Sequence, residues 1–165
     1  MSGIRVHSRD HTSIDLSLPD AAATDALGQA LAPCLQPGLV IALDGDLGAG
    51  KTALVRAVLR ALGHAGPVKS PTYALVELYN VSSLCFYHFD FYRFNDPEEF
   101  VDAGLSDYFR DDAVCCVEWP DKAGSYLPPP DLVCRFAIAG EGRTLRIDAR
   151  SARGQACLTG LAPRL

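Results

Sequence analysis

The chain has 165 residues, 48% of them hydrophobic and 21% charged, which suits one well-buried core and leaves too little for two comfortable domains. A formal charge of -5 excludes a protein that grips nucleic acid by bulk electrostatics, because that work needs a basic footprint. No N-terminal stretch joins basic residues to an apolar core, and no run approaches the roughly 20 apolar residues of a membrane span, so a cytoplasmic protein with no membrane partner is expected.

In chain order, Ile14, Leu16 and Leu18 alternate with polar neighbours and predict a half-buried strand. Pro19 and Asp20 then open a helix with Ala23, Ala26, Leu27, Ala30 and Leu31 on one face, limited by Pro33. Leu39 to Leu43 is a short apolar run of the kind buried on both sides of a sheet. Directly after it comes GDLGAGKT, residues 45–52, which matches the phosphate-loop pattern G-x-x-x-x-G-K-[ST] in full. From Lys51 the period becomes helical, with Leu54, Val55, Val58, Leu59 and Leu62 as a stripe and Gly63 as the stop. A strand before the loop and a helix after it let amides and helix N-terminus converge on one anion.

Beyond KSPTY (69–73), the stretches 74–79 and 84–92 predict a hairpin, and DPEEFVDAG (96–104) a short helix. AVCCVEW (113–119) is a second buried-strand run ending in a carboxylate. After the break at PPP (128–130), LVCRFAI and RTLRIDA alternate around AGEG as another hairpin, and a short helix closes the chain. Six cysteines, at 34, 85, 115, 116, 134 and 157, form no C-x-x-C pair and read as reduced core residues. The predicted fold is α/β: a P-loop NTPase-like single domain over residues 1–165, with a mixed central sheet, helices on both faces and antiparallel hairpins.

The loop assigns roles directly. Backbone amides over Gly45, Asp46, Leu47, Gly48, Ala49 and Gly50 approach the phosphates of ATP, Lys51 spans the outer phosphates, and the Thr52 hydroxyl ligates Mg2+. Such a metal site usually takes a carboxylate from the end of another buried strand, and Glu118 stands there. Asp90 suits two roles, holding or orienting a water or pairing with Arg93; two residues apart in a strand, His88 and Asp90 share a face while Tyr87, Phe89 and Phe91 take the other. His88 reads as a hydrogen-bonded packing residue, since magnesium prefers oxygen ligands. Thr72 either meets the terminal phosphate or metal, or Pro71 beside it only sets strand entry. Trp119 reads first as core packing, otherwise as a site wall or a partner contact, and Arg143, Arg146, Arg150 and Arg153 as a solvated basic face or one that meets RNA or an acidic partner.

Taken together, GDLGAGKT, VKSPTY, YHFDFYR, DPEEF and VEWPDKAGSYLP resemble the TsaE family, also called YjeE, in order and spacing. The resemblance implies a small ATPase needed for the threonylcarbamoyladenosine modification of tRNA, working with TsaD and TsaB and reaching tRNA indirectly through them. It implies Lys51 as the nucleotide lysine and Thr52 as the magnesium threonine. Asp90 and Glu118 would be the acids of the metal and hydrolytic centre, Thr72 part of a switch-like segment, and Trp119 a neighbour of the site. Turnover by the isolated chain is expected to be slow, because no arginine is placed as an evident finger and Arg93 is a weak candidate. Two rivals use the same loop: a small-molecule kinase, and an adaptor that binds nucleotide without catalysis. A GTPase is disfavoured because no N-K-x-D segment is present.

Overall fold

The computed structural model describes residues 3–165. Strand β1 (Arg5–Arg9) is followed by β2 (Ser13–Leu18), whose Ile14, Leu16 and Leu18 are buried as their alternation requires. Helix α1 (Ala21–Leu31) starts where the Asp20 carboxylate accepts the Ala23 amide at 2.9 Å, a side-chain N-cap. Strand β3 (Val40–Asp44) leads through the glycine loop into α2 (Lys51–Ala61). Strands β4 (Val76–Val81) and β5 (Leu84–Asp90) form the expected hairpin, turned by Ser82 and Ser83 at φ 46° and 65°. Short α3 (Glu98–Asp102) precedes β6 (Ala113–Glu118), which is buried along its whole length. The second hairpin is β7 (Leu132–Ala139) with β8 (Gly142–Ala149), and α4 (Ala152–Leu161) follows, capped by the Ser151 hydroxyl.

All eight strands join one mixed sheet in the order β1-β2-β8-β7-β3-β6-β5-β4. Its centre, β7-β3-β6-β5, is parallel, and the flanks are antiparallel. Strands β3, β6 and most of β5 are buried on both faces and therefore read as apolar runs; β2, β7 and β8, half exposed, alternate.

The two faces are covered differently. Ile41, Leu43, Val114 and Cys116 pack under α1, α2 and α4. The other face carries Val40, Tyr87, Phe89, Cys115 and Val117, packed on Phe100 of α3 and on residues of short 3-10 turns such as Leu105 and Ala123. Helices on both faces thus holds only loosely, because the second face carries a five-residue helix and aromatic packing in place of long helices. All six cysteines are free and only Cys85 is partly exposed. Strand β1 has no counterpart in the sequence expectations; exposed on both faces, it carries no apolar period and is held by backbone pairing to β2.

Candidate functional site

The sheet brings the site together. In the parallel register Asp90 of β5 lies beside Glu118 of β6, and Glu118 beside Leu43 of β3, so both acids end their strands next to the mouth of the glycine loop. That is the edge at which open α/β sheets gather ligands. His88 and Asp90 share the α2 face while Tyr87, Phe89 and Phe91 pack on the other, as their two-residue spacing requires.

A cleft of about 390 Å³ opens here. One wall is the loop from Leu47 to Gly50 with the first turn of α2; the other is Asp90, Tyr92, Glu118 and Trp119, with Ser70 and Thr72 across the top. Gly50 holds φ 108° where the loop turns into α2, a left-handed conformation that favours glycine. The amides that open α2 have no carbonyl one turn back to bond, and the residues that carry them line the cleft, so they can serve there as anion donors. Gly45 and Asp46 do not line it. They shape the loop: the Gly45 carbonyl takes the Lys51 ammonium, and the Asp46 carbonyl takes the Ala49 amide at 3.0 Å. A Cβ at Gly45 would also lie 2.9 Å from the Phe136 carbonyl oxygen of β7.

Three buried ionisable side chains line the cleft and a fourth lies behind Glu118: Lys51, Asp90 and Glu118 are 4%, 4% and 3% exposed, and His88 0%. Lys51 donates to the Gly45 carbonyl and lies 3.7 Å from the centroid of the Trp119 ring. Burial pulls its pKa below the ordinary lysine value, opposed by the nearby Glu118, Asp90, Asp44 and Asp46 charges. The Thr52 hydroxyl donates to Glu118 Oε2 at 2.8 Å. Its hydrogen is thereby committed to the acid and its lone pairs remain for a cation. Ser70 donates to Asp90 Oδ2 and lies 3.3 Å from Glu118 Oε2, so the 69–73 segment is tied to both acids. Asp90 Oδ1 accepts the Tyr92 amide at 2.8 Å.

The two open roles of Asp90 separate here. Arg93 does not pair with it but stacks on Tyr73, 4.1 Å from the ring centroid, and donates to the Tyr73 hydroxyl at 2.7 Å. Trp119 is a wall of the cleft as well as a packing residue. The arginine set divides: Arg146 pairs with Asp15 and Asp148, Arg153 lies 3.9 Å from Asp131, but Arg143 turns into the cleft and donates to the Gly48 carbonyl at 2.9 Å. Among the lining residues, Ala53 and Tyr92 have no role in the sequence reading, Ser70 enters it only as part of 69–73, and Arg143 is expected there on a solvated face, which its entry into the cleft corrects. Arg143 had no local signal, since its approach depends on β8 pairing with β7 beside β3.

The donor set fits magnesium in one specific way. Hydroxyl and carboxylate oxygens are what a hard cation takes, yet among the described residues no group of three or more His, Cys, Asp or Glu is arranged to cage a metal alone. A magnesium ion here would need further oxygens, and a polyphosphate on the adjoining loop has them.

Comparison with known proteins establishes the family. The family profile "Threonylcarbamoyl adenosine biosynthesis protein TsaE" matches residues 18–147. This chain belongs to the TsaE family. A TsaE relative from Haemophilus influenzae is 38% identical over 148 residues, covering 87% of this chain and 94% of the relative. One from Bacillus subtilis is 39% identical over 118 residues, 72% of this chain and 73% of the relative. The crystal structure of Bacillus subtilis YdiB superposes with a TM-score of 0.80 at 29% identity, covering 94% of this chain and 98% of that one. The TsaE profile spans the loop, both acids and Arg143, leaving outside it β1 and α4.

Proposed function

We propose that this chain is a single-domain P-loop ATPase of the cytoplasm that binds and slowly hydrolyses ATP with Mg2+. In this reading it serves the threonylcarbamoyladenosine modification of tRNA, as the names of its relatives indicate, acting with TsaD and TsaB and meeting tRNA through them. The observation that carries the proposal is one cleft in which Lys51 and Thr52, at the N-terminus of α2, face two buried carboxylates from neighbouring strand ends.

The residues divide the work. Amides of the loop and of the first α2 turn bind phosphate oxygens. Lys51 leaves the Gly45 carbonyl and the indole for the outer phosphates, where its charge opposes the negative charge of the transition state. Thr52 and Glu118 would hold a magnesium ion, which would supply positive charge against the phosphates. Asp90, fixed by the Tyr92 amide, accepts a hydrogen from the attacking water once Ser70 gives way, and so aims it. Arg93 is occupied with Tyr73 outside the cleft and Arg143, at its edge, is bonded to the Gly48 carbonyl, so neither is free as an arginine finger, a group worth about 1,000-fold or more, and turnover without partners stays slow.

Lys51→Ala is expected to abolish ATP binding by calorimetry with the circular dichroism of the fold unchanged. Reconstitution of the tRNA modification with TsaD and TsaB should lose multiple turnovers in Glu118→Ala. Undiminished ATP affinity in the lysine variant would refute the site.

A further inference from the structure

Glu118 is not held symmetrically. Its Oε2 accepts the Thr52 hydroxyl at 2.8 Å, lies 2.6 Å from His88 Nε2 and 3.3 Å from Ser70 Oγ, whereas Oε1 takes part in none of these bonds. His88 is fully buried in β5, one strand over, and its Nδ1 is buried with no partner among the described residues. An ionised carboxylate only accepts, so the 2.6 Å contact is a bond only if the proton sits on Nε2. In the neutral ring Nδ1 is then a bare acceptor. A leucine or phenylalanine would fill the same space with no orphaned polar atom, and buried unpaired atoms are kept where something else depends on them.

The three donors are not equivalent. Thr52 and Ser70 present hydroxyls that rotate, and both border the cleft where a ligand competes for them. The imidazole is outside the cleft lining and inside the core, so its N–H is the one donor to Oε2 that stays put when the cleft fills. We propose that His88 is a positioning residue: its Nε2–H clamps Oε2 of Glu118, setting the carboxylate plane and leaving Oε1 for the ligand side of the cleft. This inference rests on the ATP-site reading above and assigns to that site a member that touches no ligand. Hydrogen bonds behind a ligating carboxylate typically carry 10–100-fold in metal affinity.

The test compares wild type with His88→Leu, His88→Asn and His88→Gln, titrating Mg2+ into protein with a non-hydrolysable ATP analogue, and repeats analogue binding in chelator. Gln carries an N–H at about the reach of Nε2; Asn carries one near Nδ1, too short. Leu and Asn are expected to weaken the magnesium-dependent part of binding by about 10–100-fold, Gln to recover most of it, and binding in chelator to stay at the wild-type value. Wild-type magnesium dependence in His88→Leu, or Gln no better than Leu, overturns the proposal. A Lys51→Ala control that still binds the analogue overturns the ATP-site reading instead, so the two failures are distinct. Should Leu and Asn not fold, nitrogen-detected NMR of the wild-type imidazole decides: a proton on Nε2 supports the clamp, and a proton on Nδ1 alone sinks it.

Discussion

Lys51 shows how much of this site is competition between modest interactions. Its ammonium rests between the Gly45 carbonyl and the face of Trp119, and burial has already pulled its pKa down. A desolvated cation over an indole gains about 2 kcal/mol, and charge-assisted bonds to phosphate oxygens are the stronger class, so an incoming polyphosphate takes the ammonium away. The chain has one tryptophan, and its ring is the surface the ammonium leaves. Trp119 emission should therefore change saturably with ATP, with the same midpoint as calorimetric binding, and should not respond in Lys51→Met. Calorimetric binding with no change in emission would mean that the ammonium stays on the indole.

At the scale of elements, the cradle is only as well placed as α2, and α2 is placed by α1. Gly28 of α1 is buried where a Cβ would come within 2.6 Å of the Ala57 carbonyl carbon and 2.8 Å of the Val58 nitrogen, both backbone atoms of α2 that cannot turn aside. Alanine gains about 1 kcal/mol over glycine in a helix interior, but forcing two packed helices apart costs about 1–3 kcal/mol, so the clash prevails or at best balances. Gly28→Ala is expected to lower the urea midpoint and, because Lys51 and Thr52 open the displaced helix, to weaken ATP binding as well; a stabilised variant with full affinity would show that α1 yields without moving α2. The same contrast between local and non-local placement explains what the sequence revealed. GDLGAGKT, the buried strands and the Asp20 cap are decided within a few residues of themselves, and all are legible there. The bond from His88 to Glu118, the bridge from Ser70 to Asp90 and the entry of Arg143 each depend on which strands become neighbours, and no short window holds that information. Strand β1 stayed hidden because an edge strand exposed on both faces needs no apolar period.

Across the whole molecule, the sheet is sealed by a dry interior in which thiols take the place of aliphatic side chains. Cys116 of β6, Cys134 of β7 and Cys157 of α4 share the core beneath the helices, and Cys115 lies on the opposite face. Burial pushes Cys115, Cys134 and Cys157 from 9.0 up to about 12, and Cys116 also well upward. Above about pH 9 the unfolded chain gives up these thiol protons while the folded chain keeps them, so the folded state binds more protons and stability falls as pH rises. Their contribution is fully present below pH 9 and is lost progressively toward 12. Under reducing conditions the urea midpoint should be flat through neutrality and decline above about pH 9. Tyr79 and Tyr87, also raised, push in the same direction, so the informative quantity is the difference from a single variant. Cys134→Ala removes one fully buried thiol: at neutral pH it should cost about 1 kcal/mol through lost packing, and its alkaline decline should be shallower than that of wild type. Parallel declines would mean that Cys134 ionises within the folded chain, and that the region between β7 and α4 admits water.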